Sequence, residues 1–387
     1  MSDGISLGLC VVIVHIVSNF FGEGTVSWRA QQDAIALSRA GYRVAVITDS
    51  LRRRNAFEED SSISGLSVIT RSTLPRFTVA KEVSFAAQCY RVLLNLAKNE
   101  SVDLVVCHGS TPCYGGERFA KRAKIPGVFV IQALIRDKIG TPANPYSWLT
   151  TQMYRHANRF AASRMHYSIA VSSYVKDLAI AEGARPDRVF VLHNPIDVRA
   201  FSAQGDETKD IDVLFIGRLV AEKGLPVLIR AAGYLSRGTR ISIVGDGPLR
   251  NELERQAQQV QCDIVFEGWI EKGDMPHYIR RAKLHVLPSL SEAQGLVVLE
   301  AMACGVPVIG TETGGIPDMI RHGENGWLVV PNDADALAKT IQAALANEKR
   351  RQEAGQAACK TAGYFSVKRF ADRAVRLYEG IMGGAIK

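Results

Sequence analysis

The sequence predicts an α/β protein of two doubly wound domains, each built on a parallel β-sheet. Three observations support this fold class. Short runs of Val, Ile and Leu alternate with longer amphipathic stretches along the chain, which is typical of buried parallel strands joined by helices. A polar break interrupts this alternation near the middle of the chain. The length of 387 residues also exceeds what one hydrophobic core usually supports.

Apolar runs in the first half predict strands, and the amphipathic stretches between them predict helices. The strands are Leu9–Ile16, Tyr42–Ile47, Asp103–Cys107, Gly127–Ile131, His166–Val171 and Arg188–Leu192. The helices include Ser27–Ala40, Lys81–Lys98 and Ser147–Ser163. Because the strands are continuously apolar, helices should cover both faces of their sheet.

The second half repeats this order of elements. Its strands are Asp212–Ile216, Arg240–Val244, Asp263–Phe266, Leu284–Leu287, Val306–Ile309 and Trp327–Val330. Its helices are Leu225–Leu235, Leu249–Gln258, Met275–Arg281, Gly295–Ala303, Ala334–Ala346 and Phe365–Gly380. The joint is predicted within Asn194–Asp212, because Ser202–Asp210 is polar and has no apolar period. The predicted boundaries are 1–193, 194–364 and a terminal helical segment, 365–387.

Cysteine usage and hydropathy indicate a cytoplasmic protein. Seven cysteines are present, and no two of them form a C-x-x-C pair. An odd count without paired spacing argues against a disulfide framework and against a structural zinc site. The apolar stretch Leu7–Val17 is about half as long as the ~20 residues of a membrane-spanning helix, so we interpret it as a buried strand.

The net charge of +8 lies wholly in residues 1–190, whereas residues 191–387 carry equal numbers of acidic and basic side chains. Two basic stretches stand out, Leu51–Arg54 and Arg71–Lys81. One interpretation is a peripheral contact with the anionic inner face of a membrane, where each cation contributes about 1 kcal/mol. The other is a solvated basic surface. No nucleic-acid partner is predicted.

A glycine-bounded turn, Gly217–Gly224, follows the first strand of the second domain. It holds Arg218 and Lys223 at the carboxyl end of a parallel strand, where open α/β sheets bind ligands. Two such cations can neutralise a diphosphate. The alternative is a pair of solvated surface cations. A second turn, Gly245–Pro248, lacks the third glycine of a dinucleotide fingerprint and is a weak signal alone.

A third element begins with Glu292 and runs into a helix that Gly295 opens and Gly305 closes. The free amide groups at such an opening bind anions. Glu300 lies about a turn and a half inside this apolar helix, and burying a carboxylate there is costly without a partner. A pair of sugar hydroxyls is one suitable partner, and a local arginine is the other.

Together these elements resemble the retaining glycosyltransferases of family four, which have the GT-B fold of two facing Rossmann-like domains. The resemblance covers essentially the whole chain and is strongest from Gly217 to Pro331. It is carried by the G-R-L-x-x-E-K-G turn, the G-D-G-P turn, the E-x7-E pair Glu292 and Glu300, and the stretches Glu300–Thr311 and Gly314–Asp318.

The resemblance implies a role for each matched residue. Arg218 and Lys223 would bind the nucleotide diphosphate, and Glu300 would bind the ribose hydroxyls. Glu292 would contact the donor sugar as a catalytic residue. Further donor contacts are implied at Gly22, Gly24, Gly245, Trp269, Gln294, Gly295 and Leu296. The first domain would bind the acceptor.

His108 matches the second histidine of the family's D-V-V-H-x-H segment, which implies a catalytic place beside the reacting sugar. The alternative is a structural histidine. The family's first histidine is replaced by Val106, and Gln132 or Ala133 stands where another often lies. Two further departures are Gln294, in place of an aromatic residue, and Asp318, in place of glutamate.

The predicted function is transfer of a hexosyl group, with retention of configuration, in glycan or glycolipid biosynthesis. The donor would be a UDP- or GDP-sugar, and the acceptor a lipid-linked molecule, a saccharide or a small molecule. No cofactor and no metal are expected, since no Asp-x-Asp pair is placed to coordinate a diphosphate. A dehydrogenase is disfavoured because neither glycine turn completes its fingerprint. A non-catalytic two-domain sugar-binding protein remains the alternative.

Overall fold

A computed structural model of the chain describes residues 11–18, 25–48, 66–70, 78–134 and 145–384. The chain divides into two compact units, residues 1–192 with 370–387 and residues 193–369. No helix within the described ranges has an apolar stretch long enough to span a membrane. Each unit contains one parallel sheet with helices around it, so the predicted fold class is confirmed.

The first unit contains a parallel sheet with the strand order β3-β2-β1-β4-β5-β6-β7 across its described part. The strands are β1 Val12–Val17, β2 Arg43–Thr48, β3 Leu66–Thr70, β4 Val102–His108, β5 Gly127–Ile131, β6 Tyr167–Ala170 and β7 Val189–Val191. The helices are α1 Thr25–Arg39, α2 Thr78–Leu96, α3 Cys113–Ala123, α4 Pro145–Arg164 and α5 Ser173–Ala181. Every residue of β1 is buried, as expected for a central strand with both faces covered.

The second unit contains a parallel sheet with the order β10-β9-β8-β11-β12-β13. The strands are β8 Ile211–Ile216, β9 Arg240–Val244, β10 Asp263–Gly268, β11 Ala282–Leu287, β12 Val308–Thr311 and β13 Gly326–Val329. The helices are α6 Leu225–Ala232, α7 Arg250–Ala257, α8 Met275–Arg280, α9 Leu296–Ala303, α10 Ala334–Ala346 and α11 Glu348–Tyr364. In each sheet the first three strands of that unit lie side by side, with the second strand between the first and the third, as in a doubly wound fold.

A last helix, α12 Val367–Met382, returns the chain to the first unit. Its buried side chains are Phe370, Ala374, Tyr378 and Ile381. These positions recur every three to four residues, so they form one apolar stripe. The stripe belongs to the same hydrophobic core as the strands β1, β2 and β4.

The polar stretch Ser202–Asp210 lies inside the second unit, whose boundaries fall at residues 192–193 and 369–370. The first boundary lies one residue before the predicted one at 193–194, and the second lies five residues after the predicted one at 364–365. Glu207 pairs with Arg280 at 2.5 Å, and Asp210 pairs with Arg281 at 2.6 Å. These ion pairs hold the stretch against the end of α8. Its polarity therefore reflects a solvated but anchored segment, not a joint between the units.

Candidate functional site

The loops that follow the strands of the second unit are bonded to one another. The amide of Gly217 donates to the carbonyl of Val244 at 3.0 Å, and that of Gly245 donates to Gly268 at 2.7 Å. The turns after β8, β9 and β10 therefore form one continuous edge at the carboxyl ends of the strands. This is the edge at which doubly wound sheets bind ligands.

Two glycines allow these loops to approach closely. Gly245 has φ +129°, and a Cβ there would lie 2.0 Å from the carbonyl oxygen of Gly217. Gly224 has φ +65°, and its Cβ would lie 1.9 Å from the carbonyl oxygen of Pro288. Both positions need glycine for conformation and for space. The glycines thus pack the loops together, while the donor contact of Gly245 stays a prediction.

Lys223 and Glu292 form an ion pair that joins the first turn to the loop after β11. The Nζ of Lys223 lies 2.5 Å from Oε2 of Glu292, and the side chains are 18% and 12% exposed. The amide of Leu290 also donates to the carbonyl of Glu222 at 2.8 Å. Two predicted site residues that are 69 positions apart in sequence therefore lie in direct contact.

Arg218 lies in the same turn but is exposed and makes no ion pair with any described residue. Its guanidinium is therefore available to a ligand, while the ammonium group of Lys223 already faces a carboxylate. A guanidinium is well suited to a diphosphate, because its planar donors match phosphate oxygens.

The helix α9 begins beside this ion pair. Gly295 is its N-cap with φ +93°, and the helix proper starts at Leu296. The first amides of a helix have no partners within the helix, and the helix dipole adds a partial positive charge there. The start of α9 thus offers hydrogen-bond donors to an anion next to Lys223.

The loop after β12 supports this arrangement from the other side. The amide of Gly315 donates to the carbonyl of Glu292 at 3.0 Å, and Gly314 approaches that same carbonyl so closely that a Cβ would lie 1.7 Å away. The hydroxyl of Thr311 donates to the carbonyl of Ser289 at 2.6 Å. The G-G-I-P-D stretch therefore holds the backbone of the catalytic candidate Glu292 in place.

Glu300 lies in α9 behind these loops and has no arginine partner among the described residues. Burial raises the pKa of its carboxyl to about 7, and the charge of Lys272 opposes this shift only in part. The alternative of a local arginine pair is therefore not what the structure contains. The carboxyl is instead a desolvated acceptor that hydroxyl donors would satisfy.

Trp269 follows the strand β10 and exposes 75% of its surface, while its neighbour Ile270 is buried. The preceding Gly268 has φ +76°. A large aromatic side chain so exposed beside the loop edge offers a flat apolar surface to a planar ligand.

His108 lies inside the core of the first unit, with its imidazole fully buried. Its Nε2 is 3.0 Å from Nδ1 of His15, and the two rings stack with centroids 5.3 Å apart. Burial, the neighbouring His15 and then Arg29 lower the pKa of His108 well below its usual value. This enclosure favours the structural alternative over the predicted catalytic role. The replaced position Val106 is also buried in this core.

Sequence reasoning missed the group that surrounds these histidines. Arg29 and Asp33 in α1 form a fully buried ion pair at 2.8 Å, and Oδ2 of Asp33 lies 4.0 Å from His108. The signal was present, since Arg29 and Asp33 are spaced i, i+4 on the apolar face of a helix. The predicted donor residues Gly22 and Gly24 lie outside the described residues, as do the basic stretch Leu51–Arg54 and residues 71–77 of the basic stretch Arg71–Lys81.

Models of known protein families match both halves of the chain. Residues 29–200 match the family model described as Glycosyltransferase Family 4, and residues 198–361 match the model described as Glycosyl transferases group 1. The chain belongs to the glycosyltransferases of family four. This confirms the resemblance that the motifs indicated. Membership of this family also identifies the protein as an enzyme.

Individual relatives of this glycosyltransferase differ widely in name. The sulfoquinovosyl transferase SQD2 of Arabidopsis thaliana is 28% identical over 274 residues, which are 65% of this chain and 52% of that protein. The chain thus spans about half the length of this relative. An uncharacterized glycosyltransferase of Methanocaldococcus jannaschii is 26% identical over 336 residues, 81% of this chain and 83% of the relative.

Solved structures share the fold of this glycosyltransferase. HepE of Anabaena in complex with UDP and glucose aligns with a TM-score of 0.73 at 19% identity, over 95% of this chain and 99% of that one. Sucrose-phosphate synthase of Thermosynechococcus elongatus aligns with a TM-score of 0.77 at 19% identity, over 96% and 99%. The GT-B type of the fold is thereby confirmed.

Within the described ranges, no three His, Cys, Asp or Glu side chains are grouped as metal ligands would be.

Proposed function

We propose that this glycosyltransferase moves a hexosyl group from a UDP- or GDP-sugar to an acceptor hydroxyl with retention of configuration. The observation that carries the proposal is the contact between Lys223 and Glu292 beside the start of α9. It unites a cation, a carboxylate and free helix amides at the ligand-binding edge of a doubly wound sheet. The UDP and UDP-glucose complexes of the structural neighbour HepE agree with such a donor for this fold.

The donor diphosphate would lie between the turn 217–224 and the start of α9. Arg218 and Lys223 would neutralise its charge, and the amides at Gln294, Gly295 and Leu296 would donate to the distal phosphate. Lys223 would then be shared between the phosphate and Glu292. Because the paired Lys223 and the first amides of α9 are in place before the donor arrives, they would stabilise the departing diphosphate with little reorganisation.

The transfer itself would be a same-face substitution at the anomeric carbon. The bond from that carbon to the diphosphate oxygen breaks, and the acceptor oxygen forms the new bond. The acceptor proton passes to the departing diphosphate, so charge and atoms balance. Glu292 would orient the donor sugar from its loop, while His108 takes no part in the proposed step because its imidazole is enclosed.

The nucleoside would extend from the diphosphate toward Glu300 and Trp269. Glu300 would accept hydrogen bonds from the ribose hydroxyls, which would satisfy its otherwise costly burial. Trp269 would cover the base from the exposed end of the loop after β10. Gly245 would permit close passage of the donor across the loop edge.

Metal independence is part of the proposal. Two cations and the helix amides supply the electrostatic stabilisation that a divalent metal provides in other transferases. Transfer rates should therefore be unchanged when EDTA is added in excess over trace metal. A rate that EDTA abolishes and Mg²⁺ or Mn²⁺ restores would contradict this part of the proposal.

The function is tested first by nucleotide binding and then by a charge deletion. UDP or GDP should raise the melting temperature, whereas free sugars should not; the reverse pattern would instead indicate a non-catalytic sugar-binding protein. Arg218→Met should lower donor hydrolysis or transfer by about 100-fold or more, as removal of one preorganised donor usually does. Arg237→Met is the matched control, because Arg237 is an exposed arginine outside the site. Equal activities of the two variants would contradict the diphosphate assignment.

A further inference from the structure

Gln294 and Asp318, the two residues of the second unit that depart from the family pattern, contact the same short segment. We call residues 193–196 the crossing segment, because the chain enters the second unit there. Oε1 of Gln294 accepts a hydrogen bond from the amide of Asn194 at 2.8 Å, and its Nε2 donates to the carbonyl of Asn194 at 3.1 Å. Both residues are buried, at 3% and 2% exposure. The side-chain amide pairs with this backbone as a neighbouring strand would.

Asp318 holds the preceding residue. Its Oδ2 lies 3.0 Å from Nε2 of His193, and both side chains are largely buried. Asp318 belongs to the loop whose Gly315 amide bonds to the carbonyl of Glu292. Consecutive residues of the crossing segment are therefore held by two loops that themselves form the candidate donor site.

The crossing segment is also bonded to the place where the chain leaves the second unit. The amide of Ile196 donates to the carbonyl of Phe365 at 2.8 Å, and the amide of Val367 donates back to Ile196 at 3.2 Å. The rings of His193 and Phe365 pack edge to face, with centroids 5.1 Å apart. Both passages of the chain between the units are thus joined to the segment that Gln294 holds.

Gln294 has two separate tasks in this arrangement. Its backbone adjoins the N-cap of α9, where the distal phosphate is proposed to bind, and we call residues 292–295 the phosphate loop. Its side chain makes both hydrogen bonds to Asn194. A shift of the phosphate loop must either carry Asn194 with it or break two buried hydrogen bonds, and unpaired buried groups are strongly disfavoured.

We propose that Gln294, assisted by Asp318, is a positioning residue that couples donor occupancy of the phosphate loop to the crossing segment. The proposal rests on the nucleotide-sugar function argued above. A bound diphosphate fixes the start of α9, Gln294 transmits this to Asn194, and the crossing segment is held in place during transfer to the acceptor. Without this coupling the donor still binds, but transfer slows and hydrolysis of the donor takes a larger share.

The test compares Gln294→Met with the wild-type protein in hydrogen exchange and in kinetics. Methionine keeps an unbranched side chain of similar length and removes both hydrogen bonds. UDP and GDP are each added to full-length protein, and exchange is measured at the amide of Asn194. In wild type the bound nucleotide should slow this exchange about tenfold or more, and in the variant this effect should be lost. Turnover should fall about tenfold with nearly unchanged nucleotide affinity, and the hydrolysed fraction of donor should rise.

Two further variants separate positioning from simple destabilisation. Thr239→Val removes one part-buried side-chain hydrogen bond, from Thr239 to the carbonyl of Ser236, at the opposite end of β9. It should leave the nucleotide effect on Asn194 intact. Asp318→Asn keeps a hydrogen-bonding partner for His193 and should retain most of the coupling.

The outcomes separate this inference from the function on which it rests. If Gln294→Met keeps both the nucleotide effect on Asn194 and the wild-type turnover, the coupling is refuted and the function stands. If Thr239→Val reproduces the losses of Gln294→Met, the role of Gln294 is structural only. If wild type binds neither UDP nor GDP, the proposed function itself fails and the coupling fails with it.

Discussion

At the scale of single residues, the chemistry of the site depends on which charges already have partners. Lys223 is paired with Glu292, whereas Arg218 is exposed without an ion pair in the described part of the chain. In the proposed site an arriving diphosphate would therefore gain the full charge of Arg218 and share that of Lys223. For this reason Arg218 is a more informative position than Lys223 for a substitution that removes a charge.

Glu300 gives a residue-scale prediction with a defined pH dependence. Its pKa is about 7 in the folded protein, against an ordinary value of 4.5. Between these values the folded state binds more protons than the unfolded state, so the free energy of unfolding contributed by Glu300 falls as pH rises. Glu300→Gln cannot titrate and should gain stability relative to wild type from pH 4.5 to 7, by at most about 3 kcal/mol.

Urea unfolding of Glu300→Gln and wild type at pH 5, 6, 7 and 8 measures this difference. The gain should level off above pH 7, because both states of wild type are then ionised. The variant should also bind nucleotide more weakly at pH 8, since it lacks the carboxylate that is proposed to accept hydrogen bonds from the ribose hydroxyls. A stability difference that is flat with pH would show that Glu300 is solvated rather than buried.

At the scale of elements, α12 and the end of β7 are both anchored by α1. The Nη1 of Arg29 donates to the carbonyl of Leu192 at 2.7 Å, and its guanidinium lies 4.8 Å from the ring centre of Phe370. Leu192 and Phe370 are the last and first residues of the first unit at its two chain crossings. One buried arginine therefore fixes both.

Arg29→Met should be strongly destabilising, because it leaves the carboxylate of Asp33 buried without its counter-charge. Breaking a buried pair from one side typically costs about 3–5 kcal/mol. The double variant Arg29→Met with Asp33→Leu should recover a large part of this loss, since no unpaired charge remains. Chemical denaturation of wild type, the single variant and the double variant measures these differences in the free energy of unfolding. A single variant as stable as wild type would mean that the pair contributes nothing.

Two helices that sequence analysis missed share a physical cause. The helix α11 is rich in charged residues and buries only small ones, chiefly Ala354, Gly355, Ala358 and Ala362. A Cβ at Gly355 would lie 2.3 Å from the carbonyl of Gly305, so the contact depends on backbone approach and not on apolar bulk. Hydrophobic periodicity cannot detect such packing. The helix α3 was missed in the same way, since Gly115 and Gly116 lie on its buried face.

The candidate site likewise has some features that the sequence predicts and others that it does not. The turns around Arg218, Lys223 and Glu292 follow from glycine and strand spacing, so sequence places them at the ends of the right strands. The hydrogen bonds of Gln294 to Asn194 join residues 100 positions apart and depend on loop conformations that no local pattern specifies. The enclosure of His108 likewise depends on His15 and on the returning helix α12, which packs in the same core.

At the scale of the whole molecule, the charge of the sequence is unevenly distributed between its two halves. The excess of +8 lies in residues 1–190, and its most basic stretches fall outside the described residues. We propose peripheral binding to anionic membranes, which would place a lipid-linked acceptor near the first unit. At low ionic strength the protein should float with phosphatidylserine vesicles and be released at high salt, because salt screens such attraction.

Neutral phosphatidylcholine vesicles are the control for this flotation experiment, since they lack the attracting charge. Absence of binding to the anionic vesicles at low salt would leave the basic half as a solvated surface. In that case a saccharide or small-molecule acceptor becomes the favoured proposal.

The central claim is that the turn 217–224 and the start of α9 together bind the diphosphate of a nucleotide donor. A crystal structure of the protein with UDP or GDP tests it most directly. The account predicts the diphosphate within hydrogen-bond distance of Arg218 and Lys223, with the distal phosphate at the amides of residues 294–296. A diphosphate bound anywhere else in the molecule would contradict the account.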